Sequence, residues 1–103
     1  MIRIYADNSS SGCELRIIGH ANFSKENDIV CSAVSVLYYT LLEFLEREKG
    51  DYISDKKENS GKAHVRFLPD LESRAVFSAT VTGLEMIASE FPENVKITKR
   101  SEN

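Results

Sequence analysis

The 103-residue chain lacks the features that would make its reading simple, and each lack excludes something. It has no excess of basic residues, since thirteen Lys and Arg face sixteen Asp and Glu for a formal net charge of −3. A binder of nucleic acid held mainly by phosphate contacts is therefore not expected, nor is direct nucleic-acid binding in general. With only two cysteines, Cys13 and Cys31, there is no disulfide framework, and both read as thiols of a reducing, cytoplasmic compartment. The start MIRIYAD carries one Arg and passes straight into alternating residues, so it reads as a first strand and not as a signal peptide. The longest apolar stretch is broken by Ser32, Ser35, Thr40 and Glu43, too polar for a membrane span. No internal repeat and no second domain is visible, and residues 1–103 form a single domain with one core.

What is there is an ordinary globular composition, 42% hydrophobic and 28% charged, arranged in strand and helix periods. Ile2, Ile4 and Ala6 alternate with Arg3 and Tyr5; after the polar turn 7–12 a second run, Cys13 to Ile18, alternates again, which predicts a hairpin with Cys13, Leu15 and Ile17 facing the core. A long helix is predicted from Asn27 or Asp28 as N-cap to about Lys49, stopped by Gly50. Its wide apolar stripe is Ile29, Ala33, Val36, Leu37, Leu41, Phe44 and Leu45, broadened by Val30 and Val34, and such width implies cover on more than one side. A short strand at 51–55, a charged turn at 56–61 and a strand at 62–68 make a second hairpin, with His64 on the face opposite Ala63, Val65 and Phe67. Residues 75–81 alternate like a strand, but the stripe Phe77, Val81, Leu84, Ala88, Phe91 favours one helix from about Asp70 to Glu90. Gly83 within it marks close approach to the first helix. A last strand, Val95 to Thr98, precedes a tail from Lys99 to Asn103. The fold class is α+β: a small mixed or antiparallel sheet of four to five strands packed with two helices, one long and central.

The chemistry concentrates between Gly19 and Leu45. Gly19 ends the second strand and leaves His20 at its rim; the exposed loop Ala21, Asn22, Phe23, Ser24, Lys25, Glu26, Asn27 follows, then Cys31 near the third position of the long helix. A thiol attacks a carbonyl as the thiolate, and the unpaired N–H groups and positive dipole end of a helix start favour that anion. His20 is the natural proton acceptor and donor beside it. The backbone N–H groups of Cys31 and Ser32 are candidate oxyanion donors. Asp28 and Ser35 lie one turn before and after Cys31; Asp28 reads first as a helix cap and second as a group orienting His20, and Ser35 as a small residue permitting close packing. The alternative is that Cys31 simply packs in a core, as buried thiols often do. Cys13, His20, Cys31 and His64 match no compact zinc spacing, so neither metal nor cofactor is expected.

These residues also carry a resemblance. Gly19-His20-Ala21, then Asp28-Ile29-Val30-Cys31 and Ala33-Val34-Ser35, with Thr82-Gly83-Leu84-Glu85-Met86, Phe91-Pro92 and Val95-Lys96-Ile97 further on, resemble the ribosomal-processing cysteine protease family Prp. The resemblance implies an α+β cysteine endopeptidase, usually dimeric, that removes a short N-terminal extension from a large-subunit ribosomal protein precursor, cutting after an aromatic residue in a hydrophobic peptide. It implies Cys31 as nucleophile, His20 as general base, Gly19, Asp28 and Ser35 in support, and Ala21 to Asn27 as a mobile flap over the peptide. This chain departs from the family in having Lys25-Glu26-Asn27 where a glycine usually precedes the aspartate, and Ser32 where alanine is usual. Asn27 is the residue that would supply the glycine's backbone angle. A non-catalytic dimeric interaction module is the competing reading.

Overall fold

The computed structural model describes residues 1–25 and 28–102. Five strands, β1 (Ile2–Ser9), β2 (Gly12–Ile18), β3 (Ile53–Asn59), β4 (Lys62–Phe67) and β5 (Val95–Glu102), form one sheet in the order β3-β4-β2-β1-β5. All neighbours are antiparallel except β1 and β5, which run parallel, so the sheet is mixed. Two helices of equal length, α1 (Ile29–Glu48) and α2 (Leu71–Glu90), cover one face. The expected α+β class, the first hairpin and the single second helix over 75–81 are all present.

Alternation builds the core. Ile2, Ile4 and Ala6 on β1, Cys13, Leu15 and Ile17 on β2, and Val65 and Phe67 on β4 are buried beneath the helices, with Phe77, Val81 and Leu84 of α2 closing the layer. The neighbouring residues on each strand point to solvent, as a two-layer fold requires. Gly83 lies against α1 as expected: a Cβ there would stand 2.9 Å from Leu37 Cδ1.

Four expectations are corrected. The buried stripe of α1 is Val30, Val34, Tyr38, Leu41, Leu42 and Leu45, while Ile29 and Val36 are exposed. The helix is thus rolled toward its Val30 side, burying the amphipathic Tyr38 ring where an aliphatic count alone would have put Val36. Gly50 follows the end of α1 directly, as expected, though not in a left-handed turn. Lys49 is the C-cap and Gly50 opens a 3-10 turn to Tyr52, the described glycines of positive φ being Gly19 and Gly61. The charged run 56–59 belongs to strand β3, because an edge strand tolerates lysine and glutamate on both faces, and only Ser60-Gly61 turns. The tail from Lys99 is likewise a continuation of β5, held by its pairing with Ala6 to Ser9; Asn103 lies outside the described residues. By length and composition α1 is also apolar enough to cross a membrane, against the reading of its polar interruptions, but its buried stripe here is packed on the sheet as a core helix.

Asp70 caps α2 through a reciprocal pair with Ser73, accepting from the Ser73 N–H at 2.9 Å, and its other oxygen meets Lys49 Nζ at 2.9 Å. The end of α1 is thereby tied to the start of α2. The Ser73 N–H, with Lys49 beside it, holds the Asp70 carboxyl well below its usual range. A depressed carboxylate stabilises the fold above its unfolded value, about pH 4, and loses that contribution as pH falls below it. Asp70→Asn, which keeps the cap and removes the charge, is therefore expected to melt below the wild type at pH 7. That gap should close toward pH 2; an unchanged gap there would refute the linkage.

Candidate active site

Gly19 ends β2 at φ +98°, a conformation that side chains rarely adopt, and a Cβ there would fall 2.4 Å from the Met1 carbonyl oxygen. Its N–H donates to the Gly61 carbonyl at 2.8 Å, so the turn between β3 and β4 is fastened beside the end of β2. His20 follows, exposed, its imidazole lying over Gly61 so closely that a Cβ on that glycine would be 3.1 Å from Nε2.

The chain then turns inward. Ala21 is buried, its N–H donates to Cys31 Sγ at 3.3 Å, and its carbonyl accepts from Asn94 Nδ2 at 2.9 Å. Cys31 is the third residue of α1 and half-buried. Asp28 is the N-cap: one carboxylate oxygen accepts from the N–H groups of Val30 (3.1 Å) and Cys31 (3.0 Å), the other from Phe23 N–H (3.1 Å). The Cys31 N–H, then those of Phe23, Ser24 and Val30, lower the Asp28 carboxyl against the opposing effect of burial. Among the described residues the partners of this carboxylate are backbone N–H groups, the cap reading, with no contact to His20.

The expected oxyanion donors are not free. The Cys31 N–H is taken by Asp28 Oδ1, and the Ser32 N–H donates to the Asp28 carbonyl at 3.1 Å, the first bond of the helix ladder. The side-chain cap thus takes the Cys31 N–H that a bare helix start would leave open, and the helix itself takes that of Ser32.

His20 and Cys31 line one cleft of about 170 Å³, between the first two turns of α1 and the β3–β4 turn. Val34, Ser35 and Tyr38 form its helical wall, Ile2 and Ile17 its apolar floor, and Glu58, Asn59 and Gly61 its far rim. His20 and Cys31 make no direct hydrogen bond to each other among the described residues. Burial, then Glu58 and Glu46, push the Tyr38 phenol up to about 12, so it faces the cleft wall as a neutral group.

A family model for the cysteine protease Prp matches residues 1–96. The chain belongs to the Prp cysteine protease family. Among solved structures, the Staphylococcus aureus ribosomal processing protease Prp with a covalently linked product peptide superimposes with a TM-score of 0.84 at 18% identity, covering 97% of this chain and all of that one. The same protease with a substrate peptide gives a TM-score of 0.80 at 18% identity, with the same coverage of both chains. The Streptococcus mutans protein SMU.848 gives 0.77 at 28% identity, covering 98% of this chain and 95% of that one. No curated protein sequence matches this chain.

On this Prp fold the remaining candidates separate cleanly. Ser35 lines the cleft one turn beyond Cys31 and is exposed. Of the expected flap, Ala21 is buried and bonded on both sides of its Cα, whereas Asn22 is exposed at φ +54°, the described non-glycine of positive φ. Phe23 packs edge-on against Phe91 at the end of α2, ring centres 5.3 Å apart. Glu26 and Asn27 of the expected flap, and with them the angle expected of Asn27, lie outside the described residues. Cys13 is a core residue; burial pushes its thiol up, with Arg74 opposing. His64 is not a free surface residue. It is half-buried and bonded to Glu14, whose carboxyl burial raises but His64 and Arg16 together hold below its usual value. Among the described residues no three His, Cys, Asp or Glu are placed to hold a metal. Gly61 and Asn94 are the site residues that sequence reasoning missed. Gly61 had a signal in the Ser60-Gly61 turn, but Asn94 had none, since its partner Ala21 lies at the other end of the chain.

Proposed function

We propose that this chain is an endopeptidase that removes a short N-terminal extension from a large-subunit ribosomal protein precursor, with Cys31 as nucleophile and His20 as general base. The observation that carries the reading is the Ala21 N–H donating to Cys31 Sγ in a cleft that His20 also lines, in a chain of the Prp cysteine protease family. That donor stabilises negative charge on sulfur and aims it into the cleft. His20 takes the thiol proton, Sγ adds to the scissile carbonyl, and the imidazolium returns the proton to the leaving amine as the C–N bond breaks. Water then attacks the thioester, losing a proton to His20, and the acid product leaves as Sγ is released. With the Cys31 and Ser32 N–H groups engaged, the Ser35 hydroxyl is the donor we assign to the oxyanion. Gly19 and Asp28 support by backbone shape and cap.

The apolar cleft floor suits a hydrophobic peptide cut after an aromatic residue, the segment from Asn22 serving as flap. A ribosomal substrate and two free thiols suit a cytoplasmic site of action. The test is mass spectrometry of a precursor peptide spanning the extension junction. One cut after an aromatic residue is expected, and an intact peptide with folded protein would sink the proposal.

Homodimerisation belongs to the same reading. Ile29, Ala33 and Val36 of α1 and Met86 and Phe91 of α2 line an open apolar groove, with Val36 64% and Met86 68% exposed. A second copy laid on it would give α1 the cover its width implies. Sedimentation at micromolar concentration should show a dimer, and Val36→Asp a monomer; a monomeric wild type would remove this part of the proposal.

A further inference from the structure

The solvent face of the sheet, opposite the helices, carries a charge that the chain's net −3 conceals. Strand register arranges its outward residues in rows across the sheet. The row nearest the cleft runs Lys96, Arg3, Ile18, Lys62, and the next Thr98, Tyr5, Arg16, His64, Lys57. These two rows hold five lysines and arginines, all exposed; Arg16 is paired with Glu14 of the third row at 3.3 Å, while among the described residues Lys96, Arg3, Lys62 and Lys57 form no ion pair. The outward carboxylates, Asp7, Glu14 and Asp55, stand in the third row, away from the cleft. Amid the cationic rows Tyr5 is 44% exposed, paired across β1 and β2 with Arg16, whose side chain is itself 53% exposed. Rows on one face lie about 7 Å apart and strands about 5 Å apart, so the four unpaired cations form a band some two rows deep, with Ile18, Tyr5 and the Glu14-paired Arg16 set among them.

We infer that this band is a docking surface for single-stranded RNA, its phosphates on the lysine and arginine rows and a base stacked on Tyr5. Charge complementarity calls for a polyanion, and an exposed aromatic ring flanked by arginine on an open sheet distinguishes a nucleobase chain from an acidic peptide. Net charge opposes such binding only when charge is spread evenly, and here it is segregated, with the acidic excess on other surfaces. Lys62 belongs both to the band and to the cleft rim, so a precursor still bound to RNA could present its extension to Cys31 without leaving the band.

The test is fluorescence anisotropy with a labelled oligouridylate of about 20 nucleotides and the full chain. Binding is expected at about 50 mM salt and should weaken toward 200 mM with a log-log slope of roughly −3, as several phosphate contacts predict. Arg3→Glu with Lys96→Glu should weaken it about tenfold or more, and Tyr5→Ala at least severalfold. Arg47→Glu, an exposed reversal on α1, should leave it unchanged. Should the first pair fail to fold, judged by thermal melting, Arg16→Gln with Lys57→Gln makes the same test. No binding at low salt, equal loss with Arg47→Glu, or competition by polyglutamate as effective as by RNA would each overturn the assignment. Cleavage of an isolated peptide should be untouched by Arg3→Glu with Lys96→Glu, which separates this result from failure of the peptidase reading.

Discussion

Cys31→Ala is expected to lower peptide cleavage by at least about a thousandfold while leaving the melting temperature close to that of the wild type. The side chain is half-buried and its sulfur bonds one backbone N–H, so little packing is lost with it. His20→Ala should cost a comparable factor, and the double variant little more, because nucleophile and base act as one unit. Cys13→Ala is the control. That thiol is fully buried, donates to Asn8 Oδ1 at 3.5 Å and lies beside Arg74, so its removal affects the core and not the reaction. Iodoacetamide should accordingly modify Cys31 first, Cys13 being shielded by burial that also pushes its thiol up. A Cys31→Ala enzyme that keeps more than about a tenth of its activity would show that another group attacks the peptide.

Gly19→Ala should be the most damaging single methyl in the chain. Two costs add at one atom: a left-handed φ of +98° and a Cβ 2.4 Å from the Met1 carbonyl oxygen. Relief by moving Met1 is limited, because the next residue, Ile2, is buried and its N–H is bonded to the Asn94 carbonyl at 2.8 Å. Together these are worth about 3 kcal/mol, or a fall in melting temperature on the order of 15 °C for a domain of this size. Gly50→Ala provides the comparison, since a Cβ there meets nothing within 4 Å. Indistinguishable melting curves for the two variants would mean that the end of β2 is far more pliable than its geometry implies.

Much of this architecture was legible because local rules and tertiary packing agree. Strict alternation in β1 and β2, the start of α2 at about Asp70 and the glycine at 83 stand where expected, and of the two cap candidates Asn27 and Asp28 it is Asp28 that caps α1. The misreadings fall where packing decides. Val36 and Leu42 are equally apolar, and only the roll of α1 on the sheet exposes one and buries the other. The charged residues of β3 and β5 have poor strand propensity, yet pairing with β4 and β1 holds them extended. At the site, His20, Cys31 and Ser35 were readable as a constellation, and they share the cleft. The occupied N–H of Cys31 depends on the cap carboxylate turning onto it, a matter of side-chain conformation, whereas that of Ser32 follows once Asp28 is fixed as the N-cap, since its partner is the Asp28 backbone carbonyl. Asn94 was invisible for a different reason: its role is a contact across 73 positions of sequence.

That contact also bears on the order in which the protein is made. Ala21 holds the sulfur with its N–H and is itself held by Asn94, which directly precedes the edge strand β5. During vectorial synthesis His20 and Cys31 emerge early, but the carbonyl of Ala21 lacks this anchor until Asn94, 73 positions after it, has left the ribosome. A nascent chain therefore carries Cys31 without the frame that holds its sulfur until Asn94 is in place. Docking of Asn94 is itself the step that fixes Ala21 against that sulfur.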